Sequence, residues 1–276
     1  MSGFVRVLGF LGVLMLAPVV HAKECRTGVP CGGSCISADK VCHQPSRGNG
    51  HSALPTPRSA SATIPASLPQ PAIPGAPRTF AEAKRKAEAI YAGHQEDLYC
   101  GCHYSDLHHI DLAGCGYVPR KQPQRASRIE WEHIVPAWVF GHQLQCWQQG
   151  GRKQCESTSP QFNQMEGDLL NLYPAVGEVN ADRNNFGYGM LPGARPMYGQ
   201  CQTVVDFQQR TAMPREEVRG LVARTWLYMA ARYGLRLSRQ DQQLYQAWDR
   251  SYPPTEWERT RKQRIEAIQG VWHPAH

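Results

Sequence analysis

The chain has 276 residues, of which 41% are hydrophobic and 19% charged. That balance excludes a disordered or fibrous protein and leaves room for one substantial folded domain plus a small extra piece. The formal charge of +7, one unit less without Arg6, suits a polyanionic partner, but it does not identify one.

The first residues read as a secretory signal. Arg6 supplies the positive start, "VLGFLGVLMLAPVV" the apolar stretch, and Val20-His21-Ala22 a small final residue for cleavage after Ala22. The apolar stretch is too short and too closely followed by polar residues to span a membrane. No second long apolar run follows, so a soluble exported protein, periplasmic or secreted, is expected. All ten cysteines lie beyond this segment, and in an exported chain an even count predicts disulfides. Zinc is a poorer reading, because Cys100-Gly-Cys102 with His103, His108 and His109 matches no common zinc spacing.

Cys25, Cys31, Cys35 and Cys42 fall in a Gly-rich stretch too small for a core of its own, so two disulfides are expected to hold a module over 23–43. A Pro/Ser/Ala-rich linker follows over 44–77. The main domain, 78–276, opens with a helix: Thr79 and Glu82 form a capping box ahead of "FAEAKRKAEAIYAG". "DLYCGCHYSDLHHIDLAGCGYV" reads as irregular or short-stranded. Toward the C-terminus, Val218, Leu221, Val222, Thr225 and Met229 mark one helical stripe. Ser238 with Asp241 and Thr255 with Glu258 mark two further capped helices. The fold class expected is α+β.

The middle of the chain carries the chemistry. In "IEWEHIVPAWVFG", strand alternation puts Ile129 and Trp131 on one face and Glu130 and Glu132 on the other, with His133 where Pro136 soon ends regular pairing. "DLLNLYPA" reads as a second strand and "VGEVNADRNNFG" as a short helix that projects Asn180, Arg183 and Asn184 from one side. Between them, Cys146 and Cys155 would close a loop presenting Arg152 and Lys153. Proximity in sequence favours Cys146–Cys155 and Cys102–Cys115, which leaves Cys100–Cys201, although six cysteines admit many other connectivities.

"EWEHIVPAWVFGHQLQCWQQGGRKQC" and "MEGDLLNLYPAVGEVNADRNNF" closely resemble the bacterial endonuclease I family of periplasmic or secreted nonspecific nucleases. The resemblance covers the main domain, including "YCGC" and "LSRQDQQLYQAWDRSYPPTEWE", and does not cover the N-terminal module and linker. It implies a ββα-metal (His-Me finger) core inside a mainly helical, disulfide-bonded domain. It also implies His133 as general base, Glu132 and Asn180 as ligands of Mg²⁺ (replaceable by Mn²⁺ or Ca²⁺), and Arg152 on the scissile phosphate. Glu130 is placed in the catalytic set as a residue orienting a water or a neighbour. Glu166 is expected either to fix a basic residue or to act directly, and Arg183 to contact DNA or to pair with Glu178, the structural role being preferred. The substrate implied is DNA and RNA, gripped through phosphates by a monomer that does not insert into membranes.

Each of these residues also has a structural reading. A histidine beside a tryptophan is more often a satisfied core residue than a base, and an arginine in a Gly-rich loop is usually solvated. Other functions fit less well. A glycan hydrolase using Glu130 and Glu132 would have its carboxylates too close for inversion. A zinc peptidase lacks H-E-x-x-H. A catalytically inactive nucleic-acid or cell-wall binding module would not need Glu132, His133 and Asn180 together.

Overall fold

A computed structural model of the chain describes residues 29–31, 34–36 and 75–272. The expected signal peptide, most of the linker, and Cys25 and Cys42 lie outside the described residues, as do the side chains of Cys31 and Cys35. The first of two units contributes β1 (Val29–Cys31) and β2 (Ser34–Ile36), an antiparallel pair.

The second unit begins as its capping residues dictate. Thr79 accepts the Glu82 N–H and starts α1 (Phe80–Ile90), while Glu82 reaches back to the N–H of Arg78 rather than of Thr79. Two short antiparallel strands follow, β3 (Tyr104–Asp106) and β4 (His109–Ile110), then one turn of helix, α2 (Pro123–Ala126). The chain continues through β5 (Ile129–His133), α3 (Ala137–Gly141), α4 (Gln145–Thr158) and α5 (Pro160–Glu166). After a 3-10 turn at Leu169–Asn171 come β6 (Leu172–Val176) and α6 (Gly177–Arg183). A three-stranded sheet of β7 (Gly187–Tyr188), β8 (Val204–Asp206) and β9 (Thr211–Met213) has β9 at its centre. The chain finishes with α7 (Arg219–Tyr233), α8 (Arg239–Ser251) and α9 (Glu256–Gln269). Ser238 and Thr255 cap the last two through the amides of Asp241 and Glu258.

The centre of this arrangement is the antiparallel pair β5·β6, with Glu132 opposite Tyr173 and His133 opposite Leu172, and α6 leaving directly from the end of β6. Pairing would end at His133. The Asn171 side chain extends it by accepting the Val135 N–H and donating to the Val135 carbonyl. Behind the pair, the buried Arg261 of α9 donates to the carbonyls of Leu169, Leu170 and Leu172 and to the Tyr91 hydroxyl, so the entry to β6 is fully hydrogen-bonded. Val218, Leu221, Val222, Thr225 and Met229 are all buried, as the helical stripe predicts.

Three disulfides tie the second unit: Cys102–Cys115 and Cys146–Cys155, the pairs that proximity predicts, and Cys100–Cys201, the pair that they leave. Asp97 organises the first two by accepting the amides of Tyr99, Cys100, Cys102 and, across on β6, Val176.

The third disulfide corrects an expectation. The segment between Cys146 and Cys155 is helix, not loop. α4 is interrupted at Gly150–Gly151, where Gly151 adopts φ 67° and ψ −153°, a conformation that glycine tolerates and other residues do not. The glycines break the helix and the disulfide holds its two halves together, so Arg152 stands on a constrained turn.

Candidate active site

A cleft of about 540 Å³ opens beside the end of β5. Phe80, Glu130, Glu132, His133, Trp138 and Arg152 line it, with Asn180 and Asn184 from α6 and its C-terminal cap. Glu132, His133, Arg152 and Asn180, placed together by the sequence resemblance, therefore share one cavity.

His133 is buried and its ring packs 4.7 Å from that of Phe80. Its Nε2 lies 2.8 Å from the Glu166 carbonyl. A carbonyl can only accept, so Nε2 carries the proton and Nδ1 keeps its lone pair. Nδ1 has no hydrogen-bond partner among the described residues and is not sealed in the core, so it remains reachable from the cleft. Burial, assisted by the nearby charges of Arg152, Arg183 and Lys84, pushes the imidazole down to about 3. It is neutral at physiological pH, the form that can take a proton.

Glu132 is also buried. Its Oε1 accepts from the Tyr99 hydroxyl and from Arg183 Nη1, whereas Oε2 has no hydrogen bond among the described residues. Burial pushes this carboxyl up from its ordinary range, and Arg183 and Tyr99 only partly offset that. A cation at Oε2 would favour the ionised form.

Asn180 donates from Nδ2 to Glu130 Oε2 at 3.1 Å. The carboxylate fixes which end of the amide is the NH₂, so Oδ1 is the end left without a partner. One carboxylate oxygen and one amide oxygen on a common cleft fit a hard, oxygen-seeking divalent cation such as Mg²⁺, which keeps much of its water and needs few protein ligands. Among the described residues no cluster of three or more His, Cys, Asp or Glu side chains offers a rival metal site.

Glu130 itself is claimed by others. Arg125 forks onto it at 2.8 and 2.6 Å, and Arg128 adds contacts at 3.1 and 2.9 Å. Burial would raise its pKa, but these hydrogen bonds outweigh burial and hold the carboxyl below its usual range. Of the two roles expected of it, the structure fits the orienting of a neighbour: Glu130 holds Asn180 while both its oxygens are engaged by the arginines.

Arg152 donates from Nε to the buried Glu166 at 2.6 Å and to Glu156 at 3.1 Å. Nη1 and Nη2 make no hydrogen bond among the described residues, and the guanidinium lies 5.3 Å from the Phe80 ring. Glu166 thus positions the catalytic neighbourhood twice, through its carbonyl on His133 and its carboxylate on Arg152. Burial pushes that carboxyl up despite the arginine.

Arg183 is structural, as preferred, but with a partner other than the one expected. It is fully buried, donates to Glu132 and to the carbonyls of His133 and Ile134 at 2.6 to 2.9 Å, and lies over the Tyr188 ring. It does not share the exposed side of Asn180 and cannot reach a nucleic acid. Nor does it pair with Glu178, whose carboxylate accepts the Tyr117 hydroxyl and the amides of Arg120, Lys121 and Gln122.

Several contributors escape sequence reasoning. Tyr99 and Phe80 reach the site from distant segments and leave no local signal. Lys84, whose Nζ sits 4.8 Å from the Phe80 ring, adds positive charge near His133. Arg125 and Arg128 did leave a signal, since both lie within five positions of Glu130.

The endonuclease I family model matches residues 79–274. The chain belongs to the endonuclease I family. An extracellular deoxyribonuclease of Aeromonas hydrophila is 52% identical over 201 residues, which cover 71% of this chain and 88% of that protein. A periplasmic deoxyribonuclease of the same species is 51% identical over 201 residues, covering 71% and 84%. Endonuclease-1 of Buchnera aphidicola subsp. Acyrthosiphon pisum (strain APS) is 43% identical over 194 residues, covering 69% and 77%. The family match contains every residue of the cleft described above, and the chain is accordingly a nuclease.

Proposed function

We propose that the chain is an exported endonuclease that hydrolyses phosphodiester bonds of DNA, and of RNA, without sequence preference and with Mg²⁺ as cofactor. One observation carries the reading: the unpartnered Nδ1 of His133, Oε2 of Glu132, Oδ1 of Asn180 and outer nitrogens of Arg152 belong to residues of one cleft. These are the groups needed to activate water, bind a cation and hold a phosphate. The β5·β6 pair followed directly by α6 has the strand, strand, helix order of a ββα-metal finger.

Glu132 and Asn180 would hold the cation, which would supply positive charge against the negative charge that builds on the phosphate and the leaving oxygen. Arg152 grips the scissile phosphate through its free guanidinium nitrogens. His133 Nδ1 takes a proton from water as the water oxygen bonds to phosphorus and the bond to the 3′ oxygen breaks. The Glu166 carbonyl on Nε2 then stabilises the imidazolium that forms. No covalent enzyme intermediate is required.

Export is supported by the signal-like N-terminus, by the three disulfides, and by the extracellular and periplasmic names of the relatives. Among the described residues no helix is long and apolar enough to cross a membrane. Cleavage after Ala22, a tethered cysteine module over 23–43, a linker over 44–77 and a monomeric state complete the proposal. The test is plasmid cleavage by the oxidised mature protein with and without Mg²⁺, beside His133→Ala. Cutting should require both the metal and His133. Equal cutting by the variant would overturn the assignment of the base.

A further inference from the structure

Three tryptophans line the cleft, and the structure uses them differently. Trp131 is buried within β5. Trp147 serves packing: its ring lies against Gly141, where even a Cβ would come within 2.1 Å of Cε3, and 5.9 Å from the Phe162 ring. Trp138, on the short helix α3 that follows His133, is 45% exposed and lines the same cleft as Glu132, His133, Arg152 and Asn180.

Isolated exposed apolar side chains are ordinary on a protein surface. Trp138 is distinguished by its position and its rigidity. Among the described residues, Val118, Met190, Phe207 and Val271 are the other large exposed apolar side chains, and none of them lines this cleft. One face of the Trp138 ring is covered by His142, stacked with 4.1 Å between centroids and 14° between planes. His142 is itself fixed, because its Nδ1–H donates to the Trp138 carbonyl at 2.7 Å and its own carbonyl accepts from Gln148 at 3.0 Å. The indole is thus backed on one face by a fixed His142, while nearly half of the residue stays exposed in the cleft that holds Glu132, His133, Arg152 and Asn180.

We propose that Trp138, backed by His142, is a stacking platform for one unpaired nucleobase next to the scissile phosphate. The proposal rests on the nuclease reading above and adds a substrate preference to it. A base can stack on an indole only if its π-face is free, so the platform favours single-stranded DNA and RNA, frayed ends and unpaired loops over intact duplex. Because every base has such a face, this preference adds no sequence specificity.

The test separates binding from cleavage. Equilibrium binding is measured by fluorescence anisotropy on the oxidised full-length protein carrying His133→Ala, with short labelled oligonucleotides that are single-stranded, duplex, or single-stranded with one abasic position scanned along the strand. Adding Trp138→Ala should weaken single-strand binding on the order of tenfold, the contribution of one base–aromatic stack, and should change duplex binding less than twofold. One abasic position should produce the same loss in the Trp138 protein and no further loss in the Trp138→Ala protein. Trp138→Phe should retain most of the affinity. Unchanged single-strand binding, equal losses on single strand and duplex, or losses that multiply in the combined case would each overturn the platform. A protein that cuts nothing with His133 intact would instead overturn the nuclease reading.

Discussion

The two ends of β5 treat their carboxylates in opposite ways. Glu130 and Glu132 sit two positions apart on the same face of one strand, yet Glu130 is gripped by two arginines and an amide while Glu132 keeps one oxygen free. Burial alone would have ranked Glu132 as the structural residue and the half-buried Glu130 as the reactive one. The partners reverse that ranking. What a carboxylate can do is set by how many of its lone pairs the protein has left unclaimed. The same rule divides the arginines: Arg183 commits both outer nitrogens to Glu132 and two backbone carbonyls, whereas Arg152 is anchored only through Nε and its outer nitrogens have no partner among the described residues.

The comparison can be broken by substitution, and the largest effect is expected at His133, the proposed base. His133→Ala should lower the cleavage rate about 1000-fold, the range typical of a lost general base, with near-native circular dichroism. A residual rate within tenfold of the native protein would remove His133 from the proton transfer. Next come the two carboxylates. Glu132→Gln should raise the Mg²⁺ concentration for half-maximal activity on the order of a hundredfold, whereas Glu130→Gln should raise it by less than about tenfold, through a loosened Asn180. Equal effects would collapse the distinction between the two ends.

Arg152→Lys sharpens the arginine comparison. Lysine keeps the charge but lacks a fork that can bind Glu166 and a phosphate at once, so KM should rise roughly tenfold. Steady-state kinetics would show this, and an unchanged KM would place the phosphate elsewhere. Replacing both Cys146 and Cys155 with Ala releases the two halves of α4. It should lower unfolding free energy by about 2–3 kcal/mol in chemical denaturation and should weaken substrate binding through a displaced Arg152.

The last expected effect is gradual and lies in the pH dependence of stability. His133 titrates at about 3 in the folded chain against an ordinary 6.5. As pH falls between those values, the unfolded chain takes up the proton and the folded chain does not. Its stabilising contribution is therefore complete above pH 6.5 and is lost toward pH 3, at up to ~1.4 kcal/mol per pH unit. His133→Ala lacks that slope, so the difference in stability between the two proteins should narrow as the pH is lowered. A constant difference would show that the folded histidine titrates normally.

Much of this was legible in the sequence where the physics is local. Alternation along β5 placed Glu130 and Glu132 on one face, and the caps at Thr79, Ser238 and Thr255 marked their helices. Proximity pointed to two of the disulfide pairs and left Cys100–Cys201 as the third. The failures occurred where a long side chain or a distant segment decides the outcome. Helical spacing puts Arg183 near Asn180, and a structural role for it was legible, but its partner was not: the arginine is long enough to reach Glu132. Gly150 and Gly151 suggested a loop, yet they occupy only the break between two helical halves closed by a disulfide. Tyr99 and Phe80 touch the site only because the chain folds back on itself. Both stretches resembling endonuclease I were recognisable, but which of their carboxylates was free required the partners.

The most direct measurement is the anomalous scattering of Mn²⁺ in crystals of the His133→Ala protein with a bound oligonucleotide. The account predicts one manganese peak bonded to Glu132 and Asn180, with a phosphate of the oligonucleotide completing the site beside Arg152. A peak on Glu130, or a metal that binds without touching Glu132, would contradict it.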